Sequence, residues 1–273
     1  MRVLVVGASG FLGTELVRRA SAAGWSTAAT YCSSRPGGVP GVSWHRLDLR
    51  APARLDGLLA ELSPDAIINA TSGQSDWAVT ADGSVRVAMA AARHSRRLVH
   101  VSSDAVFSGS RISYDESCLP DPVTPYGAAK AAAETAVRLL APAAAVARTS
   151  LIIGHGGSAH ERMVHELAAG AREGVLFTDV VRCPVHVEDL AAALLELAQS
   201  DGSGMFHLAG PDALSRHELG VLIARRDGLD AGRLPAGRGE GTAMALDVRL
   251  DSGTTQAGIR TLLRGAREFL QLP

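Results

Sequence analysis

The sequence predicts an α/β fold, a doubly wound parallel sheet with helices on both faces and a smaller C-terminal lobe interleaved with it. Three observations predict this. Short apolar runs alternate with segments of helical periodicity over residues 1–150, and that alternation builds parallel sheets. The first run, "RVLVVG", is continuously apolar, as a strand buried on both faces must be. A glycine-spaced loop, "GASGFLG", separates that strand from the first helix.

The elements follow in order. "FLGTELVRRASAAG" has helical spacing and stops at Gly24, a suitable C-cap. "STAATY", "VSWHRLDL", "DAIINAT" and "RLVHVSS" read as the second to fifth strands. Helices fall between most of them, at "PARLDGLLAEL" and "TADGSVRVAMAAARHS". "AAAVARTSLIIG" reads as a sixth strand and "GMFHLAG" as a later one. Residues 107–124 and 228–246 read as irregular. No linker is visible. The expected division is a dinucleotide-binding domain over 1–150, with segments near 178–190 and 204–212 returning to it, and a lobe made mostly of 151–273.

Composition excludes several function classes. The chain has 273 residues, 47% of them hydrophobic, and a net charge of −1. That balance argues against nucleic acid or an anionic membrane as the main partner. Cys32, Cys118 and Cys183 are widely spaced and odd in number, which reads as reduced thiols in a cytoplasmic protein. No His, Cys or acidic spacing suggests a metal.

Gly7, Gly10 and Gly13 carry the first chemistry. Gly7 permits a sharp turn, Gly10 a close backbone approach to a pyrophosphate, and Gly13 tight helix packing. A purely structural turn is the alternative. The second strand runs into "YCSSRPGG" without an acid. Ser33, Ser34 and Arg35 therefore suit a 2′-phosphate, a polar surface turn being the alternative, and NADP(H) is favoured over NAD(H). Asp48 is read either as an acceptor for adenine or as a local cap. Tyr126 and Lys130, the latter the one lysine in the sequence, share a helix face at i, i+4. An ammonium so placed is expected to lower the phenol pKa and make Tyr126 a proton donor or acceptor. Ser103, closing the fifth strand, would bind the same substrate oxygen.

Together with "VSSDAVFSG", "PYGAAK", "RTSLIIG", "PVHVEDLA", "MFHLAG" and "LDVRLDS", these residues resemble the extended short-chain dehydrogenase/reductase superfamily. The resemblance covers most of the chain and is nearest to the dTDP-4-dehydrorhamnose reductase branch. It implies a Rossmann-type fold and Ser103, Tyr126 and Lys130 as catalytic residues. It also implies a dinucleotide held by Gly7, Gly10, Phe11, Leu12, Gly13, Asp48, Leu49, Asn69, Ala70, Thr71, Tyr126 and Lys130. Asp104 is read at the substrate or bonded to nearby backbone, Arg148 either at the substrate or paired with an acid, and Arg182 near the diphosphate of a nucleotide substrate, the substrate being a keto-sugar nucleotide or related ketone. Homodimerisation is left open. Two departures stand out. Thr80 occupies the place of a usual Asn that supports the Lys, and the segment from Asn69 to Thr80 is about ten residues short. Trp77, within it, is read as pocket or core. His186 and Asp189 are read as structural, with Asp189 capping a helix. An epimerase and a regulatory subunit without turnover remain alternatives. A dehydratase is less favoured, because Ala105 follows Asp104 where related dehydratases carry a Glu.

Overall fold

The computed structural model describes residues 1–51, 53–239, 241 and 243–271. Pro52, Glu240, Thr242, Leu272 and Pro273 lie outside the described residues. They belong to the expected second helix, the 228–246 stretch and the end of the lobe.

Seven parallel strands form the central sheet. They are β1 (Arg2–Val6), β2 (Ser26–Tyr31), β3 (Ser43–Arg46), β4 (Ala66–Asn69), β5 (Arg97–Ser103), β6 (Ala145–Thr149) and β7 (Gly204–Leu208). Their order is β7-β6-β5-β4-β1-β2-β3. The order reverses between β1 and β4, and such a reversal opens a crevice at the carboxyl ends of the strands. The helices are α1 (Phe11–Ala22), α2 (Ala53–Leu62), α3 (Trp77–Thr80), α4 (Asp82–Arg93), α5 (Pro125–Leu140), α6 (Ala159–Ala168), α7 (Val187–Gln199) and α8 (Arg216–Arg226).

Side chains alternate across the sheet and build two cores. Val3, Val5, Ile68 and Val99 face α1 and α7, meeting Leu16, Val17, Leu190 and Leu194. Leu4, Val6, Ile67 and Leu98 face α2, α4 and α5, meeting Leu59, Val87 and Val137. A third core, with Ile153, Val164, Leu176, Leu219 and Ile223, holds the lobe together.

The structure redraws two sequence expectations. "AAAVARTSLIIG" is not one strand. β6 stops at Thr149, and Ile152–Ile153 leaves the sheet to pair with Val185–His186. The segments that pack with the sheet are α7 and β7. Val181–Arg182, expected to return with them, pairs instead with Leu214–Ser215 in the lobe. The stretches read as irregular also contribute short parallel pairs, Ser113–Tyr114 with Arg249–Leu250 and Ala236–Gly237 with Leu176–Phe177. Two-residue strands carry no periodicity, so only the fold reveals them.

Candidate active site

The loop after β1 is shaped by what its glycines exclude. Gly7 has φ of +81°, and a Cβ there would lie 2.9 Å from the Thr71 backbone. A Cβ on Gly13 would lie 2.3 Å from the Gly7 carbonyl oxygen. Both must be glycine for α1 to sit against the loop. The Gly7 N–H donates to Thr30 Oγ1 at 3.1 Å, which ties the loop to β2. Gly10 differs. Its Cβ would meet no protein atom closer than Gly7 O at 3.5 Å, so it would project into open cleft. Gly10 is also the N-cap of α1, with no side-chain cap and no acid in the first turn. The end of α1 therefore offers unoccupied donors and a positive dipole to an anion. These features fit a dinucleotide diphosphate.

A cleft of about 520 Å³ opens from this loop. It is lined by Gly7, Gly10, Phe11, Leu12, Gly13, Asp48, Leu49, Ala70, Thr71, Ser103, Tyr126 and Lys130 among others. The structure thus gathers most of the expected cofactor residues into one wall. Ser33, Arg35 and Asn69 are the exceptions. The Asn69 side chain is fully buried behind the wall. There Nδ2 donates to Ser84 Oγ at 3.3 Å and faces His100 Nδ1 at 3.2 Å, while Oδ1 accepts from the Thr71 N–H. Asn69 shapes the loop rather than lining the cleft.

At the far end of β2, Tyr31 and Cys32 line the cleft, and Ser33 and Arg35 are exposed just beyond it. The sequence reading missed two arginines that arrive from β3. Arg46 Nε donates to the Cys32 carbonyl at 3.2 Å. Arg50 Nε and Nη2 donate to Asp48 at 2.9 and 3.0 Å, holding its carboxyl below the ordinary value. Asp48 also accepts from the Arg50 N–H at 3.0 Å, so it caps its own turn while lining the cleft.

The reacting end is built by α5. Thr124 caps it, accepting from the Gly127 N–H at 3.0 Å, and Pro125 opens it. A Cβ on Gly127 would lie 2.0 Å from the Ala105 carbonyl oxygen. Glycine there lets α5 press against the chain leaving β5, which brings Tyr126 to Ser103. Ser72 and Ser103 line the cleft with Tyr126, and their hydroxyls act to lower its phenol pKa. Lys130 is 2% exposed and donates to Val101 O at 2.9 Å and Thr71 O at 3.2 Å.

The electrostatics correct one expectation. Tyr126 has its pKa raised, chiefly by burial, against the lowering effect of Ser72 and Ser103. Lys130 is not among the groups that act on it, because its ammonium is turned to backbone carbonyls. Burial also lowers Lys130 to about 8, with Glu134 opposing. At neutral pH the site therefore holds an intact phenol and a mostly charged ammonium.

The expected substrate residues separate. Ser103 Oγ donates to Asp104 Oδ1 at 3.2 Å, and Ser150 Oγ to Asp104 Oδ2 at 2.6 Å. Asp104 thus sits one bond behind two cleft serines. Arg182 Nε approaches Asp104 Oδ2 at 3.5 Å, but its Nη atoms donate to the carbonyls of Val181, Leu246 and Ala245. Arg148 takes the second of its two readings and pairs with an acid. It is 1% exposed and forked onto Glu134, with Nε–Oε1 3.0 Å and Nη2–Oε2 2.8 Å. It also lies 4.8 Å over the Phe107 ring. Nothing of it is left for a substrate.

The smaller features resolve similarly. Thr80 donates to Gln74 O at 2.9 Å and accepts from the Gly73 N–H at 3.1 Å, so it staples the shortened segment. Trp77, neither pocket nor core, is 49% exposed. His186 itself caps α7, and Asp189 holds Arg264 at 2.8 Å instead. Among the described residues no cluster of His, Cys, Asp or Glu could hold a metal, and no helix is long and apolar enough to cross a membrane.

The family model described as RmlD substrate binding domain matches residues 1–244. The chain belongs to that family. Within and around it, a dTDP-4-keto-6-deoxy-D-glucose reductase of Streptomyces niveus is 30% identical over 245 residues, spanning 85% of this chain and 81% of the relative. The mouse methionine adenosyltransferase 2 subunit beta is 28% identical over 253 residues, spanning 86% and 73%. Among solved structures, a hypothetical dTDP-4-dehydrorhamnose reductase from Sulfolobus tokodaii superposes with a TM-score of 0.82 at 28% identity, covering 97% of each chain. The Bacillus anthracis dTDP-4-dehydrorhamnose reductase in complex with NADP gives 0.83 at 22% identity, covering 98% and 96%. Bordetella bronchiseptica WbmH in complex with NAD+ gives 0.86 at 18%, covering 98% and 95%. The RmlD membership agrees with the family expected from the motifs, and the fold with the expected doubly wound sheet.

Proposed function

We propose that this RmlD-family chain is an NADPH-dependent reductase of a ketone carried on a nucleotide sugar, of the 4-keto-6-deoxy class. The observation that carries the reading is one cleft joining an open helix N-terminus to Ser103, Tyr126 and Lys130. The reductase relatives support the substrate class.

Gly7, Gly10 and Gly13 would hold the dinucleotide diphosphate at the end of α1, and Lys130 would hold the adjoining ribose. When bound, the nicotinamide supplies hydride to the ketone carbon. The chain does the rest. Ser103 and Tyr126 grip the ketone oxygen with their hydroxyls. Raised by burial, the phenol stays protonated at neutral pH, and Tyr126 gives up that proton as charge develops on the oxygen. Ketone, hydride and proton balance to the alcohol. Positive charge from Arg35, Arg46 and Arg50 at the end of β2 supports NADPH over NADH.

The test is stoichiometric. Incubation with NADPH and a nucleotide-linked 4-keto-6-deoxyhexose should oxidise one NADPH per alcohol formed. Product without net NADPH loss would make the chain an epimerase. The mouse subunit favours a second reading, a nucleotide-binding subunit without turnover, because its similarity is close to that of the reductase. NADP+ binding with no reduction of any ketone would establish it.

A further inference from the structure

We propose that Asn69, locked in place by Ser84 and His100, is a positioning residue for Lys130: it fixes the Thr71 carbonyl that aims the ammonium into the cofactor cleft. The proposal rests on the NADPH reading above and adds to it a residue that lies outside the cleft.

A lysine ammonium has three donors. Two of those of Lys130 go to Val101 O at 2.9 Å and Thr71 O at 3.2 Å. The remaining donor is free for the cleft, which Lys130 lines, and its direction is set by the two carbonyls. They are not held alike. Val101 lies within β5 and pairs in register with Ala147 of β6. Thr71 lies past the end of β4, where no strand partner fixes it. A loop carbonyl that must aim a charge needs an anchor of its own.

Asn69 is that anchor. Its Oδ1 accepts from the Thr71 N–H at 3.2 Å. The intervening Ala70 N–H donates to Val6 O at 2.9 Å, and Gly7 presses on Thr71 so closely that a Cβ would lie 2.9 Å from its Cα. The amide is locked from behind as well. Nδ2 donates to Ser84 Oγ at 3.3 Å, and the Ser84 proton is committed to Thr80 O at 2.8 Å, so Ser84 can only accept from Asn69. Nδ2 also faces Nδ1 of His100, its fully buried register partner on β5, at 3.2 Å. Burial and the charge of Lys130 lower His100 to about 3, so the ring is neutral and Nδ1 accepts. Its proton is then on Nε2, which has no partner. A buried donor left unpaired costs stability, and the ring keeps this orientation toward Asn69 despite that cost. With both ends of the amide engaged, its oxygen stays on Thr71. Thr80 commits its hydroxyl to Gln74 O and the Gly73 N–H. The support of Lys130 therefore runs through Asn69 and Thr71.

The probes are NADP+ and adenosine 2′,5′-bisphosphate, which lacks the nicotinamide ribose, each titrated by calorimetry into the full chain. Asn69→Ala should weaken NADP+ about tenfold, the scale of one hydrogen bond to a charged group. Binding of the bisphosphate should stay within about twofold of the parent, which also certifies folding. In a Lys130→Met background, Asn69→Ala should add nothing further to the loss of NADP+ affinity, because the two residues act as one unit. Ser84→Ala should give the same pattern with a smaller loss, and it decides the matter if Asn69→Ala no longer binds the bisphosphate. Unchanged NADP+ affinity in the folded variants, equal losses for both probes, or an undiminished effect in the Lys130→Met background would overturn the proposal. The readout is binding alone, so a parent that binds NADP+ but reduces no ketone would sink the reductase reading and leave this one standing.

Discussion

Arg148 is fully buried and Arg216 only partly, and the two differ in how their charge is met. Arg148 meets Glu134 in a fork, and Ser102 adds a 2.6 Å bond to the same carboxylate. Its charge is cancelled and its donors are filled. Arg216 has a second arginine as neighbour and shares one carboxylate with it. A buried pair that closes on itself is part of the scaffold. The sequence left Arg148 either at the substrate or paired with an acid, and the Glu134 fork decides for the acid.

The largest test of this contrast removes Arg148. Arg148→Met leaves Glu134 buried alone and should cost about 3–5 kcal/mol, read by denaturant unfolding. The double variant Arg148→Met/Glu134→Leu should recover much of it. A stable Arg148→Met with a raised KM would put Arg148 at the substrate instead. Tyr126→Phe comes next. It should lower kcat by about 10²–10⁴-fold with NADP+ affinity nearly unchanged. A variant that turns over at the parent rate would remove Tyr126 as proton donor.

Lys130, on the same helix as Glu134, gives a pH signature. Its ammonium is present below about pH 8 and is lost above it. The reduction rate should therefore hold through neutral pH and fall roughly tenfold per unit at higher pH. A flat alkaline limb to pH 10 would contradict a role for the charged form. The buried histidines give a smaller effect. His100 and His160 are each lowered to about 3, from an unfolded value of 6.5. Between these values the unfolded chain binds more protons, so stability falls as pH drops, by up to ~1.4 kcal/mol per unit for each histidine. Thermal unfolding of His160→Leu between pH 7 and 4 should show a shallower decline than the parent. The smallest effect concerns the cofactor. Arg46→Ala and Arg50→Ala should each reduce the NADPH over NADH preference in kcat/KM by several-fold, and Arg35→Ala by a similar or lesser factor. No change in all three would place the 2′-phosphate elsewhere.

Much of the site was legible in the residues. Gly7 and Gly13 stand where added atoms would collide with backbone, and Tyr126 and Lys130 share a helix face whatever surrounds them. What could not be read is how donors and charges are spent. Lys130 was expected to act on Tyr126, yet its protons go to the carbonyls of Val101 and Thr71. Asn69 follows a strand as a cofactor residue would, yet its side chain turns inward to Ser84 and His100. Ser72 and Ser150 carried no signal, because a serine acquires meaning only from the group it faces.

By itself the sequence determined the doubly wound sheet, the turn at Gly7 and the Tyr126–Lys130 spacing. These depend on periodicity and local backbone geometry, which a chain carries in the order of its residues. Only the tertiary structure decided which arginine is neutralised, which way Asn69 points and how Val181–Arg182 meets Leu214–Ser215. Those outcomes depend on distances between residues far apart in the chain, and Coulomb and hydrogen-bond energies are set by such distances.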